Sequence, residues 1–159
     1  NALDLDNNNN RARITLANLY YNNKEYTKAE EAFKTVIKQE PEFGPTYYSL
    51  ALLYAELDKT DDAIALLNMA VKIMPENIRV YYNLSLLYDK INDFKEAEKT
   101  LLKGLKIEPQ NENLLYTLAY IYSKNNVIKG AKNIVSRLLE INPQNSQYID
   151  FYNQLNNTN

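Results

Sequence analysis

The chain has 159 residues, 45% of them apolar, which is enough to build a packed core of one domain's size. Its 18 basic and 20 acidic residues leave a net charge of −2, which argues against a dedicated nucleic-acid binder or a protein drawn to anionic membranes. The absence of cysteine and histidine excludes disulfides and removes thiol and imidazole chemistry, and three glycines leave no room for a phosphate-cradling loop.

Residues 1–9 read as a loose lead-in. The chain begins with asparagine rather than methionine, which suggests a fragment, a processed form or a tagged chain, with Asn1-Ala2 as a tag remnant. Asn7 to Asn10 form a short low-complexity run that closes in a helix cap. No apolar run is long enough to span a bilayer, so membrane insertion is not expected.

From residue 10 onward the sequence repeats. ARITLANLY (12–20), TYYSLALLY (46–54), VYYNLSLLY (80–88) and LLYTLAYIY (114–122) each start 34 residues after the one before. In the same register lie Leu16, Leu50, Leu84 and Leu118, then Tyr20, Tyr54, Tyr88 and Tyr122. Ala29, Ala63, Ala97 and Ala131 follow, and then Pro41, Pro75, Pro109 and Pro143. A fixed period of this size is the mark of a stacked array, with units at 10–43, 44–77, 78–111 and 112–145.

Each unit reads as two helices, because apolar residues recur at three- and four-residue steps in both halves. In the third unit these helices run from Arg79 to Ile91 and from Phe94 to Ile107, separated by Asn92-Asp93 and stopped before Pro109. Asn77, Asn111 and Asn145 are placed as N-caps, and Pro45 stands in a first helical turn, where proline is tolerated. SQYIDFYNQLN, residues 146–156, reads as a terminal amphipathic helix with Tyr148, Tyr152 and Leu155 on one face, followed by a polar tail at 157–159. The first half of a truncated fifth repeat is the competing reading.

These residues resemble the tetratricopeptide repeat family over about residues 10–143. The small residue after the leucine is Ala17, Ala51, Ser85 and Ala119, and the large apolar place holds Phe33, Leu67, Leu101 and Val135. Departures occur at the second small place, where Val36 and Leu138 stand beside Ala70 and Gly104. They occur also at the leading aromatic, where Tyr47 and Tyr81 are flanked by Arg13 and Leu115. No inter-helix turn holds glycine; Asp58, Asn92 and Asn126 suit that geometry and Lys24 fits it poorly. The resemblance implies an all-α solenoid, a right-handed superhelix of antiparallel helix pairs with four repeats and a C-terminal capping helix. It also implies a concave groove lined by the first helix of each pair.

Register under that resemblance sorts the tyrosines. Tyr20, Tyr54, Tyr88 and Tyr122 take the packing place, as do Tyr47 and Tyr81. Tyr48, Tyr82 and Tyr116 lie one step further round, about 100° away, which turns them to the groove. The candidate groove is Ile14, Asn18, Tyr21, Tyr48, Leu52, Tyr82, Leu86, Tyr116 and Tyr120, edged by Arg11, Glu56, Arg79, Lys90 and Lys124. Tyrosine is common in the family at the first row, but Leu52, Leu86 and Tyr120 stand where the family often has a polar residue.

Some relatives clamp a chaperone's C-terminal carboxylate with lysine, asparagine and arginine. The corresponding places here hold Ile14, Asn18, Ser49, Arg79 and Asn83 in one frame, and Tyr48, Leu52, Asn83, Asn113 and Thr117 in the next. Neither supplies the cation set, so an apolar or amphipathic peptide suits the groove better.

Lys95, Lys99 and Lys103 read as a solvated outer face. The adjacent acids Glu30-Glu31 and Asp61-Asp62 diverge on a helix and sit near helix starts, where negative charge is favourable. The expectation is a non-catalytic protein-binding scaffold that needs no cofactor or metal. Its partner is a protein or peptide rather than a nucleic acid. The alternatives are a targeting or regulatory module of a larger protein and a self-associating domain, that is, a homo-oligomer. No compartment is written in the sequence; a soluble cytoplasmic protein is the first expectation and an exported fragment the second.

Overall fold

The computed structural model describes residues 2–157, with side chains from Asn10 onward. The described residues form nine helices and no strand. In chain order they are α1 (Ala2–Asn22), α2 (Tyr26–Gln39), α3 (Gly44–Glu56), α4 (Thr60–Ile73), α5 (Ile78–Lys90), α6 (Phe94–Ile107), α7 (Glu112–Lys124), α8 (Ile128–Ile141) and α9 (Ser146–Asn157). They gather into two compact units, one ending at Val80 and one starting at Tyr81. In the first, α1 packs on α2, α2 on α3 and α3 on α4; in the second, α6 packs on α7, α7 on α8 and α8 on α9.

Three expectations at the ends are corrected. The chain is helical from Ala2, where a loose lead-in was expected. No proline or glycine interrupts Ala2 to Asn22, and asparagine costs a helix only a few tenths of a kcal/mol, roughly, against the better formers. Nor does Asn10 cap a helix. It is buried inside α1, donates to the Glu40 carboxylate at 2.7 Å and accepts from the Arg13 guanidinium at 2.9 Å. At the other end α9 takes in Asn157, the first residue of the expected tail; Thr158, Asn159 and Asn1 lie outside the described residues.

The helix-to-helix turns share one backbone solution. Lys24, Asp58, Asn92 and Asn126 all have positive φ, between 57° and 61°. The next residue's N–H then reaches back to the tyrosine carbonyl of the first helix, as in Glu25 to Tyr20 at 2.8 Å and Asp93 to Tyr88 at 2.8 Å. Asparagine and aspartate tolerate this left-handed conformation, but Lys24 is held in it against its intrinsic preference. At helix starts the asparagine caps form: Asn111 accepts from Leu114 N at 3.1 Å, Asn145 from Gln147 N at 3.0 Å and Asn77 from Arg79 N at 3.1 Å. Asp93 does the same for α6, accepting from Glu96 N.

The small residues lie where helices meet. Ala17, Ala29, Ala51, Ala63, Ala97, Ala119 and Ala131 are fully buried, and so is Ser85. Gly104 marks a close approach in the second unit. A Cβ there would stand 2.7 Å from Leu114 Cδ1 and 3.2 Å from Tyr81 Cβ. The large apolar places, Phe33, Leu67, Leu101 and Val135, are buried with them. The core of the second unit's C-terminal part is Ala119, Ala131, Val135 and Leu155, flanked by Tyr122, Phe151 and Tyr152. Burying each of the larger side chains, the valines, leucines and Phe33, stabilises by about 1.5–3 kcal/mol.

Two packing assignments need amendment. Of the four repeat tyrosines only Tyr54 is buried; Tyr20, Tyr88 and Tyr122 are half-buried. Their rings pack while their polar ends face outward. Tyr54 donates to Glu30 at 2.8 Å, Tyr122 donates to Glu98 at 2.6 Å, and the Lys28 ammonium lies over the Tyr20 ring. Leucine at the first repeat place is buried as Leu50, Leu84 and Leu118, but Leu16 is 43% exposed. It sits on α1, which no helix precedes among the described residues, whereas α3 and α7 each pack on a preceding helix. Leu19 is exposed on the same helix.

Candidate functional site

In the first unit, α1 and α3 carry the residues singled out in the sequence. Tyr48 and Leu52 are half-buried, one turn apart on α3, and the Arg79 guanidinium lies 5.9 Å from the Tyr48 ring centre. Ile14 and Tyr21 are half-buried on α1, and Asn18 is exposed. Arg11 and Ile14 line a cleft of about 180 Å3 with Glu40 and Phe43.

Glu56, read as an edge charge, has a defined task. It accepts a short hydrogen bond from Tyr26, whose ring lies 6.2 Å from that of Tyr21. Hydrogen bonds from Tyr26 and Tyr21 hold the Glu56 carboxyl below its usual range. Burial, then the Glu56 carboxylate, pushes the Tyr21 phenol up to about 12.

In the second unit the equivalent residues are Tyr82 and Leu86 on α5 and Tyr116 and Tyr120 on α7. Tyr82 and Tyr116 are half-buried, while Leu86 is 39% and Tyr120 51% exposed. Lys124 is not a loose edge cation: it pairs with Asp89 at 2.9 Å, and that bond raises its pKa. Lys90 is exposed, as is every member of the Lys95, Lys99, Lys103 stripe.

Sequence reasoning missed what α9 adds here. Gln147, Asp150, Phe151 and Gln154 join Tyr116, Tyr120 and Ser123 around a cleft of about 460 Å3. The Tyr116 ring lies 5.6 Å from Phe151 and 6.0 Å from Tyr148, and its hydroxyl accepts from Gln147 at 3.0 Å. Tyr148 in turn donates to Glu112 at 2.8 Å, and burial with that carboxylate lifts its phenol to about 12. The signal was present in the period. Adding one more step of 34 to Tyr116 and Tyr120 gives Asp150 and Gln154. Among the described residues no cluster of acidic side chains could hold a metal ion, and no helix is long and apolar enough to cross a membrane.

Sequence profiles of the tetratricopeptide repeat match residues 1–53 and 101–155, and, in a second version, residues 44–77 and 78–111. The chain belongs to the tetratricopeptide repeat family. Solved structures place it in the all-α tetratricopeptide solenoid fold. A MamA protein matches with a TM-score of 0.82 at 18% identity, covering 92% of this chain and 80% of its own. A tetratricopeptide repeat protein from Parabacteroides merdae matches at 0.85 and 18% identity, covering 92% and 58% respectively. YrrB, described as a tetratricopeptide repeat protein with an unusual peptide-binding site, matches at 0.75 and 18% identity, covering 94% and 77%. No curated protein matches the chain. Tetratricopeptide repeats serve as protein–protein interaction scaffolds, and this chain has that architecture.

Proposed function

We propose that this tetratricopeptide repeat chain is a non-catalytic scaffold that binds an apolar or amphipathic peptide segment on the face carried by its first helices. The observation that carries the reading is the water-exposed apolar row. Leu86 and Tyr120 are 39% and 51% exposed, beside half-buried Tyr82 and Tyr116, in a chain that otherwise buries its repeat leucines from Leu50 onward. Such a row costs solubility and is characteristic of a contact surface. Tyrosine supplies contact area with little conformational entropy to lose. The peptide-binding site for which YrrB is described lends support by likeness of fold.

The test is affinity capture from the source organism's lysate with this chain beside a Leu52, Leu86 and Tyr120 to serine variant of equal melting temperature. A partner held by the first and lost by the second, narrowed to an apolar or amphipathic segment by peptide mapping, supports the reading. Identical captures would move the contact off this face.

Self-association is a second reading, favoured by the open apolar side of α1, where Leu16 and Leu19 are 43% and 53% exposed. A sedimentation profile that stays monomeric at high concentration would sink it.

A further inference from the structure

The cleft between α7 and α9 differs in chemistry from the rest of the proposed binding face. Its two walls are helical stripes that look at each other: Tyr116, Tyr120 and Ser123 on α7, and Gln147, Asp150, Phe151 and Gln154 on α9. Three of the seven residues are aromatic and one, Asp150, is charged. No lysine or arginine lines it, and Lys124, next in the chain to Ser123, is engaged by Asp89. In the 34-residue register Asp150 follows Tyr82 and Tyr116 within the second unit. The cleft therefore carries a carboxylate at the place where α5 and α7 carry tyrosine.

The walls are braced before any ligand arrives. Tyr116 is held by Gln147 through its hydroxyl and by Tyr148 and Phe151 at its ring, the Phe151 ring tilted 59° to it. Phe151 itself packs against the buried cluster of Ala119, Ala131, Val135 and Leu155. Tyr120 leaves half of its surface to water. Ring faces carry partial negative charge, so tilted rings beside a carboxylate attract a cation and repel an anion. A cleft of about 460 Å3 has room for one long side chain whose aliphatic stem lies on the rings while its charged end meets Asp150.

We propose that this cleft receives a basic side chain, best an arginine, of the bound peptide. Guanidinium is favoured over ammonium because it stacks flat on aromatic rings and pairs with a carboxylate through two N–H donors. The inference rests on the peptide-binding reading above and adds the chemistry of one residue of that peptide: a cation beside the apolar stretch.

The test uses the full chain, isotope-labelled, titrated by NMR with acetyl-arginine amide and, separately, with its neutral isostere acetyl-citrulline amide. The expected result is saturable shifts at Tyr116, Tyr120, Ser123, Asp150 and Phe151, with arginine bound about fivefold or more tighter than citrulline. Asp150→Asn should remove most of that preference, and Tyr120→Leu should weaken arginine binding while leaving Asp150 in place. Both side chains are exposed, so the melting temperature should not move.

Equal binding of arginine and citrulline in the cleft would overturn the cation preference and leave the peptide-binding reading standing. No saturable shift at tens of millimolar, or shifts confined elsewhere, would overturn the pocket itself. The lysate capture with the Leu52, Leu86 and Tyr120 variant reports on the wider face independently.

Discussion

Replacing the repeat leucine by alanine, one unit at a time, should separate leucines covered by a preceding helix from Leu16, which is not covered among the described residues. Leu50 and Leu118 are 2% and 0% exposed, on helices that each pack on a preceding helix, so truncation leaves a cavity. The cost is about 3 kcal/mol each, within the range for buried leucines, and about 6 to 12 °C in melting temperature for a chain of this size. Leu16 occupies the same register position but is 43% exposed. It has roughly half a leucine's transfer free energy to lose, and water fills the space, so Leu16→Ala should cost about 1 kcal/mol or less. Urea denaturation followed by circular dichroism reads all three. A Leu16→Ala cost matching that of Leu118→Ala would mean that the outer side of α1 is covered in solution. A Leu118→Ala cost as small as that of Leu16→Ala would mean that the register itself is misread.

Three further outcomes follow from particular contacts. Lys24→Gly should stabilise the chain by about 1 kcal/mol, because Lys24 alone among the four turn residues with positive φ has a side chain ill-suited to that conformation; a fall in melting temperature would refute this. Gly104→Ala should destabilise by about 1–3 kcal/mol, since the new methyl meets Leu114 and Tyr81; an unchanged denaturation midpoint would show that these neighbours give way freely. Tyr21, Tyr122 and Tyr148 should ionise late, near 12, in a spectrophotometric titration. Folding favours their neutral forms, so their contribution is complete below the ordinary tyrosine pKa of 10.0 and is lost as pH rises through about 12. Ionisation of all three at the ordinary value in the folded protein would contradict the packing described.

The period carried most of the fold. Alanine, leucine and proline in one register gave the helix pairs, the amphipathic run at 146–156 gave the terminal helix and asparagine gave three caps, because each answers a local demand: close packing, a stop, a buried face, a free N–H. The ends were less legible. The pattern Leu16 shares with Leu50 specifies an interface, but whether a helix lies across it is a property of neighbours, not of the residue. Asparagine at position 10 looked like a cap because its usual place is a helix end; its pairing with Glu40 is 30 positions away in sequence and has no local signature. The tyrosine and leucine rows of the candidate face stand out in the repeat by residue type. The α9 wall does not, since Asp150 and Gln154 match those rows in position but not in residue type.

Asn153 stands 34 residues after Ala119, at the place where the four repeats carry Ala17, Ala51, Ser85 and Ala119, and it is exposed where they are buried. A polar amide there suits a water-facing side of α9, where the alanine and serine of the repeats suit a buried one. Splicing an additional 34-residue module between Asn145 and Ser146 would hand α9 a new neighbour of the same kind and require no redesign of the old ones. Gene duplication could thus lengthen such a chain in steps of one module, with α9 carried along unchanged.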